Sequence, residues 1–373
     1  MINVAAVTTA RQRRQFVDLP WRLYKDDPNW VPPLRFDMIN TLNPKHNALL
    51  NLGPWCYFLA YKGKRPVGRV GCGLDRRLNE AKGVEAGYIT LFECEKDYQV
   101  AEALLDAAVG FVRRHGATVV TGPQSPSNGD DYRGMLIKGF DTPPTFLSSY
   151  NPEWYPEFFE RYGFTKQFDR NAYWCDATQP IPERMVRGVD IAERRYKFRL
   201  RTADLKNIEK EIQVFKHISD NSMPEDWPDM IPPSEDEVRA EVNKLKFLAI
   251  SDLILIAEDY EGTPIGMSIA LPDYNQVLKR MNGRLFPLGW WHFLRARKQI
   301  DVARLFVIMV VPEYHRKGVS AALYLRSMEA AHRLGFRGGD GSSIHEFNIA
   351  MNRDAQGAGG VLYKVFRIYQ LPI

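Results

Sequence analysis

One succession of predicted elements occurs twice along this chain. Each occurrence opens with an apolar β-hairpin, whose two short strands are separated by polar turn residues. A third apolar strand follows, then an amphipathic helix that ends at a glycine, then a further strand. This repeat predicts two copies of one α/β fold with a mixed sheet. In the first copy the elements are residues 57–61, 66–74, 87–93, 100–115 and 117–121, and in the second they are 253–258, 264–271, 304–311, 318–334 and 342–347.

The length of 373 residues fits two domains of ordinary size. We place the boundary so that residues 1–179 form the first domain and residues 180–373 the second. Residues 180–188 are predicted to be a linker, after which the second half restarts with a strand at about 190–201. Further on, Ser234 followed by Glu237 has the pattern of a helix capping box.

Composition excludes several classes of protein. Four cysteines are too few to staple a chain of this length, and they lack the spacing of a zinc site, so we expect no metal. The first residues lack the order of charges of a signal peptide, and no uncharged apolar run approaches the ~18 residues that span a bilayer. The net charge of +5 is weak evidence for nucleic-acid binding. We therefore expect a cytoplasmic protein, and nucleic acid is not an expected partner.

The second copy of the repeat carries extra residues between its hairpin and its helix. This basic insertion (residues 274–300) combines basic and apolar side chains and holds no Asp or Glu. The pattern is typical of a helix that lies on an anionic membrane on its cytoplasmic side. Three alternatives stay open: contact with acidic residues of the first domain, binding of a cofactor's phosphates, or cations that complement a helix C-terminus. The basic residues are Lys279, Arg280, Arg284, Arg295, Arg297 and Lys298, and the apolar ones include Leu285, Phe286, Leu288, Trp290 and Trp291.

The most specific motif, VVPEYHRKGVS at residues 310–320, runs from an apolar strand into a helix. The unpaired backbone N–H groups and the positive end of the dipole at a helix N-terminus attract an anion such as a pyrophosphate. Gly318 allows the backbone to approach the ligand closely, and Arg316 and Lys317 add positive charge. The spacing matches neither a P-loop nor a dinucleotide-binding glycine motif.

This motif resembles the signature of the GNAT superfamily of acyl-coenzyme A N-acyltransferases. That signature is V-x-P followed by [QR]-x-x-G-x-[GA], and here His315, Gly318 and Ser320 stand at its last three defined positions. The resemblance implies two tandem GNAT-like mixed-sheet domains with helices on both faces, an acyl-CoA co-substrate and an amine acceptor. It also implies that a backbone N–H near the end of the strand before the loop meets the thioester oxygen. The expected cofactor-binding residues are Met309, Val311, His315, Arg316, Lys317, Gly318, Val319 and Ser320.

The corresponding loop of the first copy has different chemistry. Residues 93–99, with the sequence ECEKDYQ, contain three carboxylates, one lysine and no glycine. Because carboxylates repel a pyrophosphate, we expect this half to have a degenerate cofactor loop and the chain to have one active site.

Acyl transfer to an amine needs a proton acceptor and often an acid for the leaving thiolate. His345 and Glu346 are the candidate bases, and strand alternation predicts that only one of them faces the cleft, with Asn348 on the same side as Glu346. The resemblance places Ala355 where the superfamily often has a catalytic tyrosine. Tyr324 and Tyr363 are possible substitutes, although core packing explains each of them as well.

The aromatic and basic insertion favours a long acyl chain and a lipophilic amine acceptor. Among members of the superfamily, bacterial ceramide-synthase-type acyltransferases, which act on a sphingoid amine, are similar in this respect. The alternatives are an N-acetyltransferase for a small polar amine, an aminoacyl-tRNA-dependent transferase, and a non-catalytic acyl-CoA sensor.

Overall fold

The computed structural model describes residues 1–127, 131–225, 227–284 and 289–373. Three apolar residues named above for the basic insertion, Leu285, Phe286 and Leu288, lie outside the described residues.

Strands and helices alternate along the chain in the order that the repeat predicts. The strands are β1 (Ile2–Ala6), β2 (Trp55–Lys62), β3 (Arg65–Leu74), β4 (Ala86–Cys94), β5 (Val119–Gly122), β6 (Met135–Lys138), β7 (Thr165–Asp176), β8 (Phe198–Thr202), β9 (Ile254–Asp259), β10 (Pro264–Pro272), β11 (Val302–Val310), β12 (Gly338–His345) and β13 (Val361–Pro372). The helices are α1 (Ala10–Leu23), α2 (Arg35–Thr41), α3 (Arg76–Lys82), α4 (Tyr98–Arg114), α5 (Tyr155–Tyr162), α6 (Glu183–Tyr196), α7 (Ile208–Ser222), α8 (Glu235–Leu245), α9 (Asn275–Met281), α10 (Gly289–Ala296), α11 (Val319–Leu334) and α12 (Ile349–Gly357).

Two compact units form, and each is assembled from separate stretches of the chain. The first unit contains Met1–Arg170, Asn275–Lys298 and Lys364–Ile373. The second contains Asn171–Tyr274 and Gln299–Tyr363. The basic insertion therefore packs with the first unit although it interrupts the second repeat. The division of the chain into GNAT-like domains at residues 1–179 and 180–373 stays a prediction.

In the first unit the strand order is β1-β2-β3-β4-β5, followed by the C-terminal part of β13. The predicted hairpin is present as the antiparallel pair of β2 and β3, and β4 and β5 are parallel. Helix α4 buries its apolar side against this sheet. Its contribution to the core is Val100, Ala101, Leu104, Leu105, Ala108, Val109 and Val112.

The second unit repeats this arrangement with the order β8-β9-β10-β11-β12, followed by the end of β7. Here β11 and β12 are the parallel pair, and α11 connects them. Successive residues of β9 point to opposite sides, so Leu255 and Ala257 pack with α6 and α11 while Ile254 and Ile256 pack with α7. Helices cover both faces of the sheet, as the resemblance implied.

A glycine at the same place in both hairpins explains how the helices approach the sheets. A Cβ atom added to Gly68 would lie 2.6 Å from Leu104 Cδ1 of α4. One added to Gly266 would lie 3.2 Å from Val319 Cγ1 of α11. Any larger residue would push the helix away from the sheet in each unit.

The prediction for the start of the second half is wrong. Residues Glu183–Tyr196 form α6 instead of a linker and a strand, and only Phe198–Thr202 are extended. Apolar residues at 185, 186, 189 and 192 recur with the period of a helix, and they pack on the second unit's core. The capping box of α8 is confirmed, because the Ser234 side chain accepts from the Glu237 amide and Glu237 accepts from the Ser234 amide.

In the described part of the chain, no helix has both the length and the apolar character needed to cross a bilayer.

Candidate functional site

The parallel strands β11 and β12 of the second unit separate before either one ends. They pair from Val302 with Gly338 to Leu305 with Gly341, and the ladder stops there. Strand β11 then continues to Val310 and β12 to His345. Residues of β11 up to Arg304 are buried, whereas those from Leu305 onward are half-buried. We call the unpaired region between the two strand ends the strand opening.

A buried network holds the strands together up to this point. Arg304 Nε donates to Ser342 Oγ at 3.0 Å, and Ser342 Oγ donates to Asp340 Oδ2 at 2.8 Å. All three residues are nearly inaccessible to solvent, so the charges of Arg304 and Asp340 neutralise each other inside the sheet. The network makes the point of separation a fixed feature of the fold.

The register of β11 determines which backbone groups face the opening. Val311 donates its backbone N–H to Ile265 of β10 at 3.0 Å. Because backbone groups alternate in an antiparallel pair, the N–H groups of Val311 and Met309 point to β10, and those of Ile308 and Val310 point to the separated side. The amides expected to meet the ligand are thus those of Ile308 and Val310, one residue away from the predicted Met309 and Val311.

The loop after β11 leaves the N-terminus of α11 uncovered. A short 3-10 turn spans Pro312–Tyr314, and Arg316 and Gly318 then adopt left-handed backbone angles, with φ of 61° and 83°. Gly318 is the N-cap, and no side chain caps the helix. Among the described residues, no acceptor is found for the amides of Gly318 and the next three residues. Free amides at a helix N-terminus can donate hydrogen bonds to an anion, and the anion site that the motif predicts stays a prediction.

The side chains of the loop fall into two groups. Arg316 is exposed, and Lys317 extends over the ring of Tyr314, with its Nζ 4.6 Å from the ring centre. His315 instead turns back to the strand, because its Nε2 lies 2.9 Å from the carbonyl oxygen of Val310. In this structure His315 shapes the loop, and Val319 is a buried core residue. Ser320 Oγ donates to Asp354 Oδ2 of α12 at 2.8 Å.

The equivalent helix of the first unit is capped by its own carboxylate. Asp97 accepts a hydrogen bond from the Gln99 amide at 3.0 Å and forms an ion pair with Lys62 at 2.7 Å. The hydrogen bond from Lys62 is the main reason that the pKa of Asp97 is lowered. Glu95 in the same loop pairs with Arg65. Negative charge therefore already occupies the place where α11 offers free amides.

The end of β12 differs from the sequence prediction. The strand stops at His345, and Asn348 is the N-cap of α12, where its side chain accepts from the Met351 amide at 3.1 Å. Glu346 and Asn348 therefore do not share one face of a continuous strand. His345 is buried and Glu346 is half-buried.

Aromatic rings enclose His345. The Trp227 ring stacks on it at 5.7 Å between centres and an angle of 14°, and the Phe347 ring lies 4.9 Å away. The Phe347 amide donates to His345 Nδ1 at 3.3 Å. Because Nδ1 accepts, the proton of a neutral imidazole is on Nε2, so the ring is arranged to donate a hydrogen bond and not to accept a proton there.

Asn352 fixes the turn between β12 and α12. Its amide nitrogen donates to the carbonyl oxygens of His345 at 3.0 Å and Asn348 at 2.8 Å. Its oxygen accepts from Tyr173 Oη and Asn171 Nδ2, both at 2.9 Å. Sequence reasoning missed Asn352, Tyr173 and Trp227, because their contacts join segments far apart in the sequence.

Ala355 is buried beside two tyrosines. It forms a cluster with Tyr173 and Tyr324, to which Ile308 of β11 and Ile344 of β12 also contribute. The Tyr324 ring is buried, and burial raises the pKa of its hydroxyl.

The other candidate, Tyr363, lies near Asp340 and Arg304. Burial and the negative charge of Asp340 raise its pKa well above the ordinary value. Its phenol is thus associated with the network that holds the strands together.

Comparisons with known proteins identify the family of this chain. A protein named bacterial ceramide synthase, from Caulobacter vibrioides, is 30% identical over 382 residues, which cover 99% of this chain and 97% of that protein. Protein YghO of Escherichia coli is 30% identical over 373 residues, covering 96% of this chain and 93% of its own. A comparison with models of protein families finds no match.

Among solved structures, a tandem GNAT protein from the clavulanic acid biosynthesis pathway matches 100% of this chain and 98% of its own, with a TM-score of 0.59 at 12% identity. The predicted fold class, two tandem GNAT-like mixed-sheet domains, is confirmed. The chain belongs to the bacterial ceramide synthase family and is an acyl-CoA-dependent N-acyltransferase with tandem GNAT folds.

Proposed function

We propose that this enzyme transfers a long-chain acyl group from acyl-CoA to a lipophilic amine of the sphingoid-base type. The observation that carries the proposal is the similarity over nearly the whole chain to a protein named bacterial ceramide synthase. Exposed apolar side chains beside the strand opening support it, since Phe347 is 65% and Ile349 is 55% exposed at the turn after β12. Such side chains suit a substrate with hydrocarbon chains better than a small polar amine.

We assign the pyrophosphate of acyl-CoA to the N-terminus of α11. The free amides from Gly318 to Ala321 can donate to phosphate oxygens, and Arg316 and Lys317 supply positive charge close by. The separation of β11 and β12 gives the pantetheine arm a path along the strand. Because the first unit has a carboxylate at the corresponding helix end, one acyl-CoA per chain is expected.

The transfer step forms a C–N bond between the amine and the acyl carbon and breaks the C–S bond of the thioester. The amide of Val310 or Ile308 is proposed to donate to the carbonyl oxygen as negative charge develops there. Glu346 is proposed to accept the proton that the amine loses, while His345 positions the turn through its contacts with Trp227 and Phe347.

Tyr324 is proposed to protonate the leaving thiolate. A phenol is protonated at neutral pH and can donate its proton to the sulfur as the C–S bond breaks. The Tyr324 ring packs beside Ala355 of α12 and Ile308 of β11. Tyr324 on α11 therefore lies next to position 355, where the superfamily often has its catalytic tyrosine. Tyr363 suits this role less well, because it lies close to the charges of Asp340 and Arg304.

A long-chain amine resides in bilayers, so the enzyme must meet it at a membrane surface. We propose that this surface is the cytoplasmic face of an anionic membrane and that the basic insertion, residues 274–300, contacts it.

Two measurements test the function. The first is the thermal stability of the protein with CoA, acetyl-CoA or palmitoyl-CoA, because a ligand at about 100 times its Kd adds about 2.7 kcal/mol to stability. The second is thiol release from each thioester with a sphingoid base, a small polyamine or no acceptor. We expect the largest stabilisation and turnover with palmitoyl-CoA and the sphingoid base.

Turnover with acetyl-CoA and a small polar amine alone would favour the N-acetyltransferase alternative. Tight binding of acyl-CoA without any turnover would favour the sensor.

A further inference from the structure

The basic insertion builds a surface that the acyl-transfer site does not use. It folds into α9 and α10, and α9 buries its apolar side through Val277, Leu278 and Met281. In α10, none of the side chains that the structure describes is buried. Of its large side chains, Trp290 is 44%, Trp291 52% and Leu294 39% exposed. A soluble protein rarely leaves adjacent tryptophans uncovered unless they contact something else.

The insertion is fixed to the N-terminal helices of the first unit. The backbone N–H of Arg35 donates to the carbonyl oxygen of Gly283 at 3.1 Å, and Arg35 Nη1 donates to that of Asn282 at 2.9 Å. Trp21 Nε1 donates to Asn282 Oδ1 at 2.8 Å. These contacts hold the end of α9 against the start of α2.

Helix α2 adds two apolar side chains beside this junction. Phe36 directly follows Arg35 and is 46% exposed, and Ile39 is 54% exposed. The buried Met38 between them anchors the helix to the core that contains Phe16 and Leu19 of α1. The tryptophan face is defined as the exposed apolar side chains of α10, namely Trp290, Trp291 and Leu294, and Phe36 and Ile39 are further exposed apolar side chains of the same unit.

Cations flank α10 along the sequence. Arg284 precedes the helix, Arg295 lies in its last turn, and Arg297 and Lys298 follow it, all of them exposed. On the α2 side, the exposed Asp37 is the acidic member of the helix, and Asp18 of α1 is neutralised by Arg35 at 2.9 Å. Tryptophans that reach the interface together with cations that stay in water are the arrangement of a membrane-surface helix.

We propose that the tryptophan face docks onto the surface of an anionic lipid bilayer, with Trp290 and Trp291 inserted at the level of the headgroups. The proposal extends the proposed function and rests on it for the identity of the lipid substrate. The charge of the insertion argues for anionic lipid over a neutral surface. The exposed aliphatic Leu294 beside the tryptophans favours a bilayer over RNA, because RNA is bound by cations and by aromatic rings that stack on bases.

The test is flotation of the full-length protein with vesicles of phosphatidylcholine, with and without phosphatidylglycerol. We expect binding to the anionic vesicles, and a loss of about tenfold for the double variant Trp290→Ala, Trp291→Ala. The double variant Arg295→Gln, Arg297→Gln is expected to lose about fivefold for each cation removed. Phe247→Ala is the matched control, since Phe247 is 79% exposed on the second unit and should change nothing.

Equal binding of wild type and the tryptophan variant, or no binding to anionic vesicles, would overturn the proposal. Salt-sensitive binding to RNA in place of vesicles would assign the cations to nucleic acid and would overturn it as well. Acyl transfer measured with a detergent-dispersed acceptor separates this result from the proposed function, because the surface variants should retain that activity.

Discussion

Asp97 and Gly318 occupy the same position in the two units, the N-cap of the helix that joins the parallel strands. Asp97 satisfies an amide of its own helix with its carboxylate, whereas Gly318 has no side chain and leaves the amides of α11 free. An approaching pyrophosphate would meet negative charge in one unit and hydrogen-bond donors in the other. We therefore expect acyl-CoA binding to depend on the second unit.

Replacing Gly318 by alanine should weaken acyl-CoA binding. Its φ of 83° disfavours a side chain by about 1 kcal/mol, and the new Cβ would lie 2.7 Å from Ala192 Cβ of α6. The loop must therefore shift, and its amides with it. Isothermal titration with CoA should give a Kd at least about tenfold higher, since about 1.4 kcal/mol corresponds to tenfold.

Gly335→Ala is the matched control for this experiment. Gly335 ends the same helix with a φ of 80°, and a Cβ there would meet no described atom within 4 Å. Gly335→Ala should lose about as much stability as Gly318→Ala does, while its affinity for CoA stays that of the wild type. Equal loss of affinity in both variants would contradict a specific role of the loop.

Tyr324→Phe should slow acyl transfer without weakening acyl-CoA binding. Loss of a proton donor to the thiolate is expected to lower kcat by about 100-fold. The loss of kcat in Tyr324→Phe should be smaller for thioesters of more acidic thiols, because their thiolates leave without protonation. Measuring kcat across a series of thioesters distinguishes this role from simple packing.

Tyr363→Phe serves as the comparison, because this phenol is buried near Asp340. We expect a lower melting temperature for this variant and the same dependence on the leaving group as in wild type. If Tyr324→Phe also keeps the wild-type dependence, the acid lies elsewhere.

Glu346→Gln should reduce activity more than His345→Gln does. Glutamine at 346 keeps the shape and removes the proton acceptor, so kcat is expected to fall by about 100-fold near neutral pH. Raising the pH should restore activity in part, because more of the amine is then neutral. A pH profile of kcat/KM for both variants gives the comparison, and a larger loss for His345→Gln would exchange the roles of the two residues.

The stability of the first unit should fall in acid because of Asp169. Burial acts to raise the pKa of Asp169, but hydrogen bonds from Arg367 at 2.8 Å and from Lys166 outweigh burial, so the pKa is lowered. A lowered pKa in the folded state contributes stability above the unfolded value of about 3.9, and this contribution is lost as the pH falls through the folded value. Urea unfolding between about pH 3 and pH 7 measures it.

Asp169→Asn should lower the free energy of unfolding by about 1 to 2 kcal/mol at neutral pH. It should also make this free energy depend less on pH below about pH 4. Asp141 is exposed and gives the control, since Asp141→Asn should leave the loss of stability in acid unchanged. An unaltered pH dependence in Asp169→Asn would contradict the assignment.

The fold class could be predicted from the sequence because its signals are local. Alternation of apolar residues located both hairpins, and glycine signals located the ends of α4 and α11. The uncapped N-terminus of α11 was also predictable, since a strand, a glycine loop and a helix N-terminus follow one another within a few residues. The error at residues 190–201 arose in a short segment where the apolar period of α6 was taken for a strand.

The remaining features depend on pairing between distant segments, which no local pattern encodes. The hydrogen-bonded ladder between β11 and β12 stops at Leu305, so the amides of β11 beyond this residue do not pair with β12. The end point of the ladder depends on how the two strands pack in the folded sheet. Trp227 and Asn352 meet His345 only after folding, so their roles at the site could not be read from spacing. The sequence by itself determined the repeated elements and the loop chemistry, because both follow from residues close together in the chain. Only the tertiary structure decided the register, the separation of the strands and the joining of α2 with the basic insertion, because these are contacts across long sequence distances.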